Sequence, residues 1–208
     1  MNKLYKLLII ITIIIAGCKT PQSYEKIIGQ SIDNLNMNIF SNEGIILFSI
    51  RSPNSFYSKE KNTFNLKETT INLYKDNKTE YIISADRSQL TNNNKLLELN
   101  GNVLVKTVLQ QGDKLYANSF KWNIENFEYL LIGDVKFENN SLTLSSNKAI
   151  LNKENNIIKF FNPVKYQIKG NNNEKVYEIN SENAYYNVDT KSVNFISKEA
   201  KVRSKIYF

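Results

Sequence analysis

Residues 97–106, LELNGNVLVK, alternate apolar and polar side chains on both sides of a central glycine. One face of the alternation carries Leu97, Leu99, Val103 and Val105. A period of two is typical of a β-strand with one buried face. Because the parity is kept across Gly101, the pattern favours one continuous strand that bends at the glycine over a coil break between two strands. Glycine inside a strand marks a bulge or a corner.

The same pattern recurs along the chain. Residues 130–137, LLIGDVKF, place Gly133 where Gly101 stands, and residues 158–168, IKFFNPVKYQI, place Asn162 there. Sixteen positions upstream of these three residues lie Ala85, Ala117 and Ser146. With two weaker copies, the chain holds five units at roughly 30-residue spacing, which predicts a repeat architecture of stacked antiparallel strands. Asparagine-rich stretches between the units are typical of hairpin turns.

The first residues read as an export signal. Lys3 and Lys6 precede the apolar run LLIIITIIIAG, which stops at Cys18. The run is too short for a permanent membrane span, which needs about 20 apolar residues. Ile15-Ala16-Gly17-Cys18 resembles a bacterial lipobox, in which the cysteine is lipidated and becomes the mature N-terminus. We therefore expect a signal peptide over residues 1–17 and lipidation of Cys18, with an incidental cysteine as the alternative.

Composition limits the rest of the chain. About 190 residues follow the signal, which suits one domain, and 41% hydrophobic and 12% aromatic residues are enough for a core. Residues 18–43 read as a tether or spacer, because weak helical spacing there is interrupted by Gly29 and asparagines. Residues 44–208 form the predicted β domain. The formal net charge of +7 suits anionic lipids or glycolipids, and export argues against nucleic acid as a partner.

The sequence offers little enzyme chemistry. The chain has no histidine, which excludes histidine-based triads and imidazole metal ligands, and we expect no metal and no cofactor. Asp86, Glu98, Asp113 and Asp134 stand singly on polar faces or turns. A carbohydrate-active β-solenoid stays open as an alternative, because a glycosidase needs only two or three acids that the fold brings together.

The repeated units resemble a known family. SAD…LELNGNVLV and YAN…LLIGDVKF, preceded by INLYKDNKTEYIISA, are similar to the LptC family and to the related LptA and OstA-type domains, and the similarity extends from Phe64 to Val202. It implies an open, V-shaped β-jellyroll of antiparallel strands, held in the periplasm of a Gram-negative-type envelope. It also implies lipopolysaccharide as the cargo, an inner-membrane ABC transporter as the donor, and edge-to-edge pairing with the next jellyroll.

A lipid path in such a fold would follow the apolar stripe of the repeats. Its candidate residues are Leu97, Leu99, Val103, Val105, Tyr129, Leu131, Val135, Phe137, Phe160, Val164 and Tyr166. The same stripe would also serve as a closed core, and an exported lipoprotein with a structural or adhesive role is the alternative function. Known LptC proteins hold the membrane through a spanning helix, whereas this chain predicts a lipid anchor.

The last strand is the candidate docking edge. In EAKVRSKIYF, residues 199–208, Val202, Ser204 and Ile206 alternate with basic residues. Lysines on an edge strand deter aggregation, and the resemblance implies that this edge pairs with the next jellyroll through backbone hydrogen bonds. Both interpretations stay open from the sequence.

Overall fold

The described part of the protein is all-β. The computed structural model describes residues 29–91, 93–108, 112–126, 128–170 and 174–207, and this part contains fourteen strands and no helix. The strands are β1 (Gly29–Phe40), β2 (Ile46–Ser58), β3 (Thr63–Lys75), β4 (Lys78–Thr91), β5 (Leu96–Thr107), β6 (Lys114–Asn123), β7 (Glu128–Glu138), β8 (Leu142–Asn152), β9 (Ile157–Phe161), β10 (Val164–Lys169), β11 (Lys175–Ser181), β12 (Asn183–Asn187), β13 (Val193–Ile196) and β14 (Arg203–Ile206). The all-β prediction is confirmed. The signal peptide and Cys18 lie outside the described residues.

All the strands belong to one antiparallel sheet. From β1 to β8 each strand pairs with the next one along the chain. After β8 the sheet divides, since β10, β11 and β14 continue one branch while β9, β12 and β13 continue the other. Long strands joined by tight turns follow from the alternating repeats and their asparagine turns, several of which place Asn at positive φ.

A crease crosses the long strands at the same level of the sheet. The pairing register shifts where Gly101 and Asn102 of β5 face β4 and β6, and again where Gly133 and Asp134 of β7 face β6 and β8. Both glycines have positive φ, +80° and +78°, which a residue with a Cβ adopts only at a cost. The prediction of a continuous strand bent at the glycine is confirmed for β5 and β7.

The third repeat behaves differently. Asn162 was expected to mark another bend within one strand, but β9 ends at Phe161 and β10 begins at Val164. Pro163, which follows a cis peptide bond, has no N–H to donate to a ladder, so proline is excluded from the middle of a strand. The expectation of a continuous strand is therefore wrong at this repeat, and this is where the sheet divides.

The crease separates two half-sheets that pack face to face. Half-sheet 1 consists of β10, β11 and β14 together with the parts of the long strands that lie on the same side of the crease. Half-sheet 2 consists of β9, β12 and β13 together with the parts of the long strands on the other side. Buried apolar side chains of the described residues form one cluster between the half-sheets. Burial of such side chains, worth about 25 cal/mol per Å² of apolar surface, is the main stabilising term.

The sheet begins earlier than the sequence suggested. Residues 29–40, assigned to a spacer, form β1, which pairs with β2 along its whole length. Leu35, Met37 and Ile39 alternate with asparagines and pack against the core. The helical spacing of Ile32 and Leu35 concealed this period of two, and pairing with β2 decides the outcome. The spacer assignment is therefore wrong for these residues.

Candidate functional site

The apolar face between the half-sheets is the candidate site. Strands β5, β7, β9 and β10 carry the predicted stripe to this one face, because side chains two apart in a strand share a side. The buried members are Leu97, Leu99, Val103, Val105, Tyr129, Leu131, Val135, Phe137, Phe160 and Val164. Tyr166 is half-buried and packs at the edge of the same cluster. The sequence thus grouped residues that the fold brings together.

Aromatic rings join the two half-sheets across this face. The ring of Phe137 lies 4.6 Å from that of Tyr186, and Tyr166 lies 5.2 Å from Phe195. Aromatic pairs of this kind stabilise the fold beyond the contribution of the surface area that they bury. In both pairs the residue of half-sheet 2 comes from a strand later in the chain than its partner in half-sheet 1. The half-sheets are therefore staggered, and the sheet coils around its own core.

The interior is packed in this conformation. A cavity of about 20 Å³ lies between the half-sheets, lined by residues that include Tyr81, Leu115, Leu151 and Ile158. Such a volume is close to that of one water molecule, so it is far too small for an acyl chain. A long apolar ligand could enter only if the half-sheets separate along the side opposite the crease.

Among the described residues, two ion pairs close that side, which we call the mouth. Lys191, in the β12–β13 turn, donates to Asp113 Oδ2 over 2.8 Å. Lys153 Nζ, after β8, lies 3.4 Å from Glu80 Oε2 of β4. Each pair joins the end of half-sheet 2 to the end of half-sheet 1, and the Asp113 side chain is only 6% exposed. Asp113 looked like a solvated turn residue in the sequence, which could not show its distant partner.

The interior behind the mouth is uncharged at neutral pH. Burial raises the pKa of Tyr81 to about 12, and the negative charge of Glu80 adds to the effect. Burial also raises the pKa of Tyr129. Both phenols therefore stay protonated, and the inner face keeps the low polarity that an apolar ligand requires.

The C-terminal strand forms one edge of the sheet. β14 pairs with β11 on one side only, and its side chains are exposed. Val202, directly before the strand, is 46% exposed and Ile206 is 61% exposed. The Tyr207 N–H donates to the Val176 carbonyl over 3.0 Å, and hydrogen-bonded pairs alternate along an antiparallel ladder. The N–H of Ser204 therefore points away from β11, toward the free edge.

Glu178 links β11, the strand next to this edge, to β10 in half-sheet 1. Its carboxylate accepts hydrogen bonds from Gln167 Nε2 at 2.8 Å and Asn180 Nδ2 at 3.1 Å, and Lys165 Nζ lies 3.3 Å away. The hydrogen bond from Gln167 is the largest cause that lowers the pKa of Glu178 to about 2. The buried carboxylate is thus ionised and fully engaged at neutral pH.

The remaining acids that the sequence singled out, Asp86, Glu98 and Asp134, each have a separate partner. Asp86 accepts from Asn102 and Asp134 accepts from Asn118, both over 2.9 Å. Glu98 pairs with a lysine on the neighbouring strand. No group of three metal-ligating side chains occurs among the described residues, and the strands and turns described contain no helix that could span a membrane.

Comparison with known proteins finds a family model that the chain matches and a solved structure to which it is similar. Residues 9–128 match the model of the family described as lipopolysaccharide-assembly, LptC-related. Among solved structures, the chain is similar to LptH of Pseudomonas aeruginosa, the LptA-homologous periplasmic component of a lipopolysaccharide transport device, with 14% identity and a TM-score of 0.49 over 61% of this chain and 94% of LptH. No curated protein matches the sequence.

Proposed function

This chain belongs to the LptC-related family of lipopolysaccharide-assembly proteins and has a role in lipopolysaccharide transport, and from that premise we propose that the face between its half-sheets is the path of the acyl chains. It acts as a non-catalytic scaffold. The observation that carries the proposal is the continuous apolar face, which runs through strands of both half-sheets without a described charge on its buried surface. A path of this kind needs only apolar surface of uniform character.

The packed interior adds a condition to this path. Cargo reaches the inner face only when the half-sheets part at the mouth, where Lys191 with Asp113 and Lys153 with Glu80 hold them together. Acyl chains would then replace side-chain contacts of similar polarity, so the exchange costs little hydrophobic energy. The proposed cycle therefore alternates between a closed state and an opened, lipid-filled one.

The donor and acceptor of the lipid form the second part of the proposal. An inner-membrane ABC transporter supplies lipopolysaccharide, and the next periplasmic jellyroll receives it toward the outer membrane. The exposed edge of β14 supports this, because its outward N–H and C=O groups can extend the sheet into a partner strand.

The anchor forms the third part. Lipidation of Cys18 would tether the folded domain to a membrane surface on the periplasmic side, and more than one acyl chain makes such anchoring stable. We expect Cys18→Ser to leave an uncleaved precursor that incorporates no labelled palmitate. Equal labelling of this variant and the parent chain would contradict the anchor.

Photo-crosslinking tests the path itself. A photoreactive residue at Leu131 or Val135, which are 0% and 1% exposed, should capture lipopolysaccharide in membranes that hold the transporter and ATP. The same residue at Glu128 or Lys136 should not, since adjacent strand positions point to opposite faces. Both pairs lie in β7, so the comparison changes the face and little else.

The controls separate the proposal from its alternative. Capture at Leu131 should disappear without ATP, because the cargo then stays in the membrane. If both faces of β7 are labelled equally, or neither is, the closed core is simply structural. The chain would then be an exported lipoprotein whose role does not involve acyl chains in its interior.

A further inference from the structure

The outer face of half-sheet 2 holds a polar trough that the proposed lipid path does not use. It has a volume of about 760 Å³ and lies across β1 to β5 beside the crease. The outward side chains that line it are Ser31, Asn54, Phe56, Asn65, Lys67, Arg87, Gln89 and Asn100. The volume falls in the range of sites for small organic ligands, roughly 300–1,000 Å³.

Two cations stand directly opposite each other in this trough. Lys67 of β3 and Arg87 of β4 are register partners, so their backbones are roughly 5 Å apart and their side chains share the outer face. Both are exposed. Like charges in directly opposed positions destabilise a sheet. An anion held between them would turn this repulsion into two charge-assisted contacts.

The register partners of the cations are neutral, while two acids lie nearby: Glu68 follows Lys67 in the chain, and Glu98, which pairs with Lys121, is the partner of Gln89. In the same row across the sheet, Asn54 is the partner of Lys67, and Asn100 is the partner of Arg87. The nearest acid in the row, Asp33, lies beyond Asn54. Asp86, which precedes Arg87, lies at the crease and accepts a hydrogen bond from Asn102. The trough therefore offers positive charge at its centre and amide groups on both sides.

The second row supplies a ring and more amides. Ser31, Phe56, Asn65 and Gln89 follow one another across the strands, and Gln89 Nε2 donates to Asn65 Oδ1 over 3.0 Å. A side chain in place of Gly29 would collide with the Phe56 ring, so β1 leaves room for that ring. Amides that bind hydroxyl groups beside a half-exposed aromatic ring suit a sugar better than a bare ion.

From this arrangement we propose that the trough binds an anionic saccharide, with its phosphate between Lys67 and Arg87 and its ring against Phe56. The site lies on the opposite side of the sheet from the acyl path, so it goes beyond the proposed function. The saccharide comes either from the headgroup of a glycolipid or from a free sugar phosphate, and both present the same chemistry.

Calorimetric titration of the full-length chain in an uncharged detergent tests the site. Glucose 6-phosphate should bind more tightly than inorganic phosphate, and glucose should bind least. Lys67→Ala with Arg87→Ala should weaken glucose 6-phosphate binding by about tenfold or more. Phe56→Ala should weaken glucose 6-phosphate and leave inorganic phosphate unchanged. Lys159→Ala is the matched control, because Lys159 lies between the buried Ile158 and Phe160 on the outer face of β9, away from β1 to β5.

A second measurement guards against unfolding. Removing Lys67 and Arg87 relieves a repulsion, so the double variant should melt at the same temperature as the parent chain or higher. Phosphatidylcholine vesicles with and without a monophosphorylated glycolipid then identify the source. Binding that requires the glycolipid and both cations assigns the headgroup, whereas binding of soluble glucose 6-phosphate alone assigns a free sugar.

Three results would overturn the site. They are unchanged binding in the double variant, equal affinity for glucose and glucose 6-phosphate, or inorganic phosphate binding as tightly as glucose 6-phosphate. The lipid path is tested apart from this, because crosslinking at Leu131 should persist in the Lys67→Ala, Arg87→Ala variant.

Discussion

At Gly133 the backbone of β7 passes through the crease with φ of +78°, and an added Cβ would lie 2.8 Å from Asn118 Nδ2. Asn118 cannot simply move aside, because it donates a hydrogen bond to Asp134. We expect Gly133→Ala to lower the free energy of unfolding by about 1–3 kcal/mol, since left-handed strain and crowding add together. Gly44→Ala is the control, with the same φ, +79°, and open space around it. Equal losses in thermal unfolding would show that crowding contributes nothing.

Glu178 gives the molecule a defined acid response. Its pKa is lowered to about 2, so its stabilising effect is complete above the ordinary glutamate pKa of 4.5 and is lost as the pH falls through 2. Glu178→Gln should therefore melt below the parent chain at pH 7, and the difference should close between about pH 5 and pH 2. Melting curves followed by circular dichroism measure it. A difference independent of pH would mean that packing, and not charge, is lost.

The sequence predicted the bends of the crease at the glycines but not its bends at other residue types. Gly101 and Gly133 stand out because glycine is costly inside a strand. Asn34 and Glu68 also have positive φ, 55° and 48°, yet one asparagine within a strand is a weak signal of this in a sequence and a glutamate is none. Their backbone geometry follows from lying in register with neighbouring strands that bend, which is a property of the assembled sheet.

Proline substitution in β14 tests whether the free edge of this strand binds a partner. The N–H of Ser204 points to the free edge, so Ser204→Pro should leave β11 and β14 paired but abolish co-purification with the next jellyroll. Lys205→Pro is the matched control, because Lys205 is the register partner of Glu178 in the hydrogen-bonded set. It should weaken the strand itself. Retained binding in the folded Ser204→Pro variant would place the docking edge elsewhere.

Elements with local partners could be predicted, and those with distant partners could not. The hairpins from β3 to β8 follow from period-two patterns and asparagine turns. β9 and β12 pair although β10 and β11 lie between them in the chain, and β14 joins β11 from far along the chain. An alternating pattern predicts which side chains of a strand share a face, but it does not predict which strand pairs with it. The sequence therefore did not predict β1 either.

At the scale of the whole molecule, the mouth decides access to the interior. Replacing Lys153 and Lys191 by Met removes both described ion pairs that span it. Asp113 is buried and Lys191 half-exposed, so we expect a loss of roughly 1–2 kcal/mol, between the values for surface and buried pairs. Binding of an apolar fluorescent probe should rise as the half-sheets part more often.

The control for the mouth is an ion pair within one half-sheet. Lys95 and Glu125 join two turns of half-sheet 2, 2.5 Å apart, and Lys95→Met should leave probe binding unchanged. An equal rise in both variants would mean that lost charge alone, and not the opening of the mouth, admits the probe. The sequence predicts which residues form the inner face. It does not show whether that face is a closed core or an open groove, because the apolar pattern is the same in both cases.

The order of strands in the sheet also has a kinetic consequence. From β1 to β8 every partner is the next strand to be made, so each hairpin forms by closing a short loop, which is the fastest kind of contact. Strands β1 to β8 can therefore pair in the order of the chain, whereas the outer side of β11 stays unpaired until β14 follows. Hydrogen-exchange labelling during refolding should show β3 to β6 protected first and the C-terminal edge last.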